Sequence, residues 1–155
     1  PDVLCAFCDV LRGDTAMTEL SLVDVGLTEE AVDLLGPALA DNTGLVSVRV
    51  SRNPLGPLGV TALMEFLKDK AALRNVFIDS TDARDEGALA VAEAIGARKN
   101  FKTVSMADNG ISEEGFAALL KVAQENIFVT DLRLGDNHGI DNERTKQIGN
   151  VFKRN

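Results

Sequence analysis

A segment beginning at Met17, MTELSLVDVGL, returns in altered form at Leu45, Leu73, Phe101 and Val129, each return 28 residues after the last. An offset held four times in succession restricts the chain to architectures in which one small unit stacks on copies of itself. Three apolar columns recur within the unit. The first holds Met17, Leu45, Leu73, Phe101 and Val129, the second Leu20, Val48, Val76, Val104 and Leu132, and the third Leu22, Val50, Ile78, Met106 and Leu134. The second and third columns are two residues apart, the spacing at which side chains of an extended strand return to one face.

The second half of each unit changes period. Leu34, Leu35, Ala38 and Leu39 recur as Ala62, Leu63, Phe66 and Leu67, then as Ala90, Val91, Ala94 and Ile95, then as Ala118, Leu119, Val122 and Ala123. Apolar residues at i, i+1, i+4 and i+5 form one buried stripe on a helix of about three turns. Thr28-Glu29-Glu30, Asp85-Glu86 and Ser112-Glu113-Glu114 mark the helix starts, where hydroxyls and early acids suit free N–H groups and the helix dipole. These acidic pairs therefore read as helix punctuation rather than as paired catalytic carboxylates. Asn53, Asn109 and Asn137 fall where the chain leaves each strand, and an amide there satisfies backbone groups that the turn would orphan. Thr81 does this in part and Val25 not at all, so the first unit is expected to have the least regular turn. Residues 2–12 carry the helical phase without a preceding strand, and read as a helix covering the first edge.

This is the L-x-x-L-x-L-x-x-N-x-L pattern of a leucine-rich repeat, and the 28-residue unit with a full helix resembles the ribonuclease-inhibitor-like class. The expected fold is α/β. It is a right-handed leucine-rich-repeat solenoid with a parallel β-sheet on the concave face and α-helices on the convex face. One domain spans 1–155, with an N-terminal capping helix at 1–16 and repeats at 17–44, 45–72, 73–100, 101–128 and 129–155. The composition suits such thin layers, because seven Phe are the only aromatic residues and the core falls to Leu, Val, Ile and Ala.

The same composition excludes several functions. Sixteen basic against twenty-four acidic residues leave a net charge of −8, so nucleic acid is not an expected partner. No apolar run approaches the roughly 20 residues of a membrane helix, and no signal-peptide order opens the chain, which reads as cytoplasmic. The chain begins at Pro1 rather than Met, as a piece of something longer would. His138 is the only histidine, and phosphate-loop, dinucleotide, zincin and EF-hand patterns are absent, so neither enzyme chemistry, cofactor nor metal is expected. Cys5 and Cys8 form a lone C-x-x-C on the capping helix and read as small packing residues.

The stretches LKDKAALRNVFIDSTDARDEGALAVAEAI and LRLGDNHGIDNERTKQIGNVFKRN, the second with an enlarged turn around Gly139, are similar to the C-terminal repeat domain of tropomodulin and leiomodin. The resemblance implies a monomeric, non-enzymatic protein-interaction module that binds actin at the filament pointed end. Strand alternation separately gives the exposed positions of the sheet: Glu19, Ser47, Asn75, Thr103 and Asp131; Ser21, Arg49, Phe77, Ser105 and Arg133; Val23, Ser51, Asp79, Ala107 and Gly135. Asp24, Arg52, Ser80, Asp108 and Asp136 lie next to them at the rim. Five strands about 4.8 Å apart make a face roughly 20 Å wide, enough for one helix or a protein edge. Phe77, an aromatic among serines and arginines, is the expected anchor, with Arg49, Arg133, Arg52, Asp79, Asp108, Asp131 and Asp136 as its charged surroundings. Two other readings stay open: an adaptor for another cytoskeletal or signalling partner, and a GTPase activator using loop arginines Arg52 and Arg84.

Overall fold

The computed structural model describes residues 2–98 and 100–153. Pro1 and Asn155, the expected outer bounds of the domain, lie outside these, as do Lys99 and Arg154. Helix and strand alternate from end to end: α1 (Asp2–Gly13), β1 (Glu19–Ser21), α2 (Glu29–Asp41), β2 (Ser47–Arg49), α3 (Gly56–Leu67), β3 (Asn75–Phe77), α4 (Arg84–Ala97), β4 (Thr103–Ser105), α5 (Glu113–Glu125), β5 (Asp131–Arg133) and α6 (Asn142–Phe152). The strands lie in chain order in one parallel sheet, with Glu19 beside Ser47, Ser47 beside Asn75, Asn75 beside Thr103 and Thr103 beside Asp131. Register thus repeats the sequence offset, as it must when each apolar column faces one core.

Leu20, Val48, Val76, Val104 and Leu132 are all buried at the strand centres, against the stripe of Leu35, Leu39, Leu63, Leu67, Val91, Ile95, Leu119 and Ala123. Phe101 is the largest fully buried side chain, and the rest of the core is mainly aliphatic, with Met64 buried and Phe7, Phe66 and Phe152 packed against it. Met17 and Leu22, in the first of the five strand layers, are only partly buried.

Thr28 and Ser112 cap α2 and α5 as their positions lead one to expect, accepting from the Ala31 and Glu114 N–H groups at 3.4 and 3.3 Å. Asp85 does something further. α4 has Ala83 at its cap position with no side-chain bond, and Asp85 reaches across to the next helix. It accepts from the Ser112 N–H at 2.8 Å, the Ser112 hydroxyl at 2.6 Å and the Gly115 N–H at 3.1 Å. Partial burial alone would raise its pKa, but these donors outweigh that and hold the carboxyl below its ordinary value.

Two polar ladders tie the layers together. In the first, Asn53 accepts from the Val25 and Leu27 N–H groups at 3.0 and 2.9 Å and donates to the Leu22 and Val50 carbonyls, both at 2.7 Å. Asn109 serves Thr81 and Ala83, and Asn137 serves Asn109 and Ile111, in the same way. Each amide therefore satisfies the turn of the preceding unit. This overturns the expectation of an irregular first turn, since Val25 is supplied by Asn53. The turn facing Thr81 is the one without an amide, and there Pro54 has no N–H to satisfy and the Leu55 N–H bonds the Asn53 carbonyl at 2.8 Å.

The second ladder runs through Asn42, Lys70, Arg98 and Asn126, all buried just past a helix end. Asn42 donates to the Leu11 and Asp14 carbonyls at 2.7 Å each, and Asn126 to those of Ile95 and Arg98 at 2.7 and 2.9 Å. Lys70 reaches the Leu39 carbonyl at 2.6 Å as well as that of Asn42, and Arg98 the Leu67 carbonyl at 2.7 Å as well as that of Lys70. Donors at this place satisfy carbonyls that a helix C-terminus leaves free, and cations complement its dipole. Burial, and then the charge of Arg98, lowers the pKa of Lys70.

Candidate functional site

The face of the sheet turned away from the helices carries in register the columns expected to be exposed, although Ser105 among them is buried. Its middle row is Ser21, Arg49, Phe77, Ser105 and Arg133. Arg49 lies flat on Phe77, its guanidinium carbon 3.8 Å from the ring centroid, and its Nε donates to Glu19 Oε1 at 3.0 Å. A Glu19–Arg49–Phe77 chain thus spans the first three strands. The stack contributes about 0.5–1 kcal/mol and keeps both planar groups ordered. Arg133 was expected to flank Phe77 on the other side; it lies two strands away, with Ser105 between, and pairs with Asp131 at 2.6 Å. The hydrogen bond that Arg133 donates to that carboxylate, reinforced by the carboxylate's charge, raises the pKa of Arg133.

Asp79, named as a surface carboxylate, is half-buried and occupied from three sides. It accepts from the Ser51 hydroxyl at 3.1 Å, the Ala107 N–H at 2.9 Å and the Ser105 hydroxyl, and so bridges three strands. Ser51 and Ser105 are positions that sequence reasoning passed over, although their column was legible. Glu19 is the other, and only the packing shows that it orients Arg49.

At the rim, Asp24, Arg52, Ser80, Asp108 and Asp136 all adopt the left-handed conformation, with φ between 53° and 59°. The first four donate their N–H groups to the next strand, at 2.8–3.1 Å, so a conformation costing roughly 1 kcal/mol outside glycine is offset by a ladder bond. Asp108 also accepts from the Ser80 hydroxyl at 2.8 Å. The third unit adds two more left-handed residues, Asp82 and Arg84, at places where other units carry Gly26, Gly56 and Gly110. Arg84 forks onto Asp82 with both bonds at 3.0 Å, which engages one of the arginines considered for a GTPase-directed role. Arg52 is exposed.

Among the described residues no group of three or more His, Cys, Asp or Glu could hold a metal ion, and no helix is long and apolar enough to cross a membrane. His138 is exposed in the enlarged turn. Cys5 is exposed, whereas Cys8 is buried with its Sγ 3.6 Å from the Leu34 carbonyl, and burial pushes its thiol pKa up. The face offers stacked, paired and hydrogen-bonded side chains on a rigid sheet, suited to contact with a protein surface.

No protein-family profile matches the chain. It is similar to human leiomodin-2, 27% identical over 62% of this chain, and to bovine tropomodulin-4, 31% identical over 55%. Leucine-rich repeat-containing protein 45 of chicken is 27% identical over 71%. The chain spans only 18%, 23% and 17% of these relatives. Among solved structures it superposes on the leiomodin-1 actin-binding site 2 with a TM-score of 0.84 at 18% identity, covering 99% of this chain and 90% of that one. For the Caenorhabditis elegans tropomodulin C-terminal domain the TM-score is 0.82 at 13% identity, over 97% and 92%. The resemblance to tropomodulin and leiomodin repeat domains therefore extends from the quoted motifs to the whole fold.

Proposed function

We propose that this chain is a non-enzymatic actin-binding module of the tropomodulin and leiomodin kind, meeting its partner as a monomer with the open face of the sheet and its rim. The observation that carries the reading is the superposition of nearly the whole chain on the leiomodin-1 actin-binding site 2. Glu19, Arg49 and Phe77 supply an ordered aromatic and cationic patch of the sort that anchors protein contacts, and the net charge of −8 argues against a nucleic-acid target.

The direct test is elongation of actin filaments capped at their barbed ends. Micromolar protein is expected to slow pointed-end growth, and no slowing removes the actin reading. Phe77→Ala and Arg49→Glu are expected to weaken binding by about tenfold, or 1.4 kcal/mol, with little change in Tm; full binding by both would move the contact off the open face. The match to chicken leucine-rich repeat-containing protein 45, which covers more of this chain than the leiomodin-2 and tropomodulin-4 matches named above, favours a second reading as an adaptor for another cytoskeletal or signalling partner. Affinity capture with mass spectrometry separates the two.

A further inference from the structure

Four side chains just past the helix ends reach the same two carbonyls of the unit before them. Asn42 donates to those of Leu11 and Asp14, Lys70 to Leu39 and Asn42, Arg98 to Leu67 and Lys70, and Asn126 to Ile95 and Arg98. The two amides do more than this. Asn42 Oδ1 accepts from the Gly44 and Leu45 N–H groups at 3.0 and 3.1 Å, and Asn126 Oδ1 from those of Phe128 and Val129 at 2.8 and 3.2 Å. Neither an ammonium nor a guanidinium has an acceptor to offer for such bonds. An amide therefore suits the place better, and a cation costs more to bury there. The charge of Lys70 and Arg98 is surplus to the bonds they make.

That charge has company. Arg74 and Lys102 stand one residue before β3 and β4, and the Lys102 N–H donates to the Arg74 carbonyl at 2.8 Å, which sets them side by side on neighbouring strands. Among the described residues Lys70, Arg74, Arg98 and Lys102 have no ion pair, whereas Arg49, Arg84, Arg133 and Arg144 are each paired with a carboxylate. The carboxylates whose charges reach the buried pair are Asp41, which is paired with Arg12, and Asp69. Two adjoining units thus make a positive edge on a chain of net charge −8.

The chemistry of the edge selects its ligand. Lys70 and Arg98 commit their donors to carbonyls and to Asn100 Oδ1, so they act through their field. Arg74 commits only Nη1, to the Ala71 and Leu73 carbonyls, and Lys102 is exposed. Two donor groups on strands about 4.8 Å apart suit successive carboxylates, whereas a single phosphoryl group takes donors that converge. We propose that this edge docks an acidic peptide segment of a partner, with its carboxylates on Arg74 and Lys102 in the field of Lys70 and Arg98. The edge lies at the opposite end of the strands from the rim and does not depend on the actin reading.

The test titrates the full chain into a rhodamine-labelled hexaglutamate peptide at low ionic strength, read by anisotropy. Saturable binding is expected, weakening as salt is added, with none to hexaglutamine. Lys102→Glu is expected to weaken binding at least about tenfold. The double variant Lys70→Asn, Arg98→Asn carries at both places the amide found at 42 and 126. It is expected to stay folded and also to lose about tenfold in affinity, which a role confined to the carbonyls would not produce. Lys146→Gln, which removes a cation of α6 that is paired with Glu143, is expected to leave affinity within about twofold. Failure of hexaglutamate to bind at millimolar concentration, unchanged affinity in Lys102→Glu or in the folded double variant, or displacement of the peptide by equimolar inorganic phosphate overturns the proposal.

Discussion

Lys70 shows how a single residue can carry an inter-unit bond that composition conceals. It is a buried cation with no ion pair among the described residues, and its ammonium serves two carbonyls at the end of α2. Asn42 and Asn126 do the same work one unit before and two units after, with neutral amides. Lys70→Met removes the donor and leaves the carbonyls buried, and is expected to cost about 2–3 kcal/mol. Lys70→Asn restores an amide at the same place in the unit, and its cost is expected to stay below roughly 1 kcal/mol. Urea denaturation of the two variants decides the matter, and equal stabilities would show that the stem of Lys70, not its donor, supports the layer.

Among the elements, α4 and α5 are coupled by a carboxylate that belongs to one and caps the other. Asp85→Ala is expected to cost about 1 kcal/mol at neutral pH, the usual worth of an N-cap. The sign of the pH dependence follows from the lowered native pKa. The contribution of Asp85 is fully present above the unfolded-state value near 3.9, and is lost as pH falls through the lower folded-state value. The gap between wild type and variant should therefore close on acidification, as read by urea midpoints from pH 7 down through the carboxylate range. A gap independent of pH would mean that the carboxylate charge plays no part. α6 is a different case. A Cβ on Gly139 would lie 2.3 Å from the Ser112 carbonyl carbon, so only glycine allows the enlarged turn to pass the start of α5. α6 then fully buries Ile148 alone, and is held further by Arg144, which pairs with Glu113 at 2.6 Å.

For the whole molecule, a stack whose layers touch mainly their neighbours is stable in the middle and weaker at its ends. α3 and α4 each pack between two helices, whereas α6 touches its predecessor least of all the consecutive helix pairs. Amide hydrogen exchange is expected to be fastest in α6 and slowest in α3 and α4. Equal protection in α6 would show that the chain unfolds as one unit.

Much of this was legible in the residues because the unit repeats. The columns through Leu20 and Leu22 fix which side of each strand is buried, the stripes through Leu35 and Leu63 fix the helices, and a constant offset forces equal register. The pattern did not reveal the direction of the asparagine bonds, the trans cap made by Asp85, the burial of Lys70 and Arg98 or the occupation of Asp79. Each of these pairs residues 26 to 31 positions apart in neighbouring layers. The unit, its periods and the core can thus be read from the order of residues alone. Which polar groups meet between units comes from the folded stack, because polar pairing depends on distances of a few tenths of an ångström across layers, whereas burial needs only the correct face.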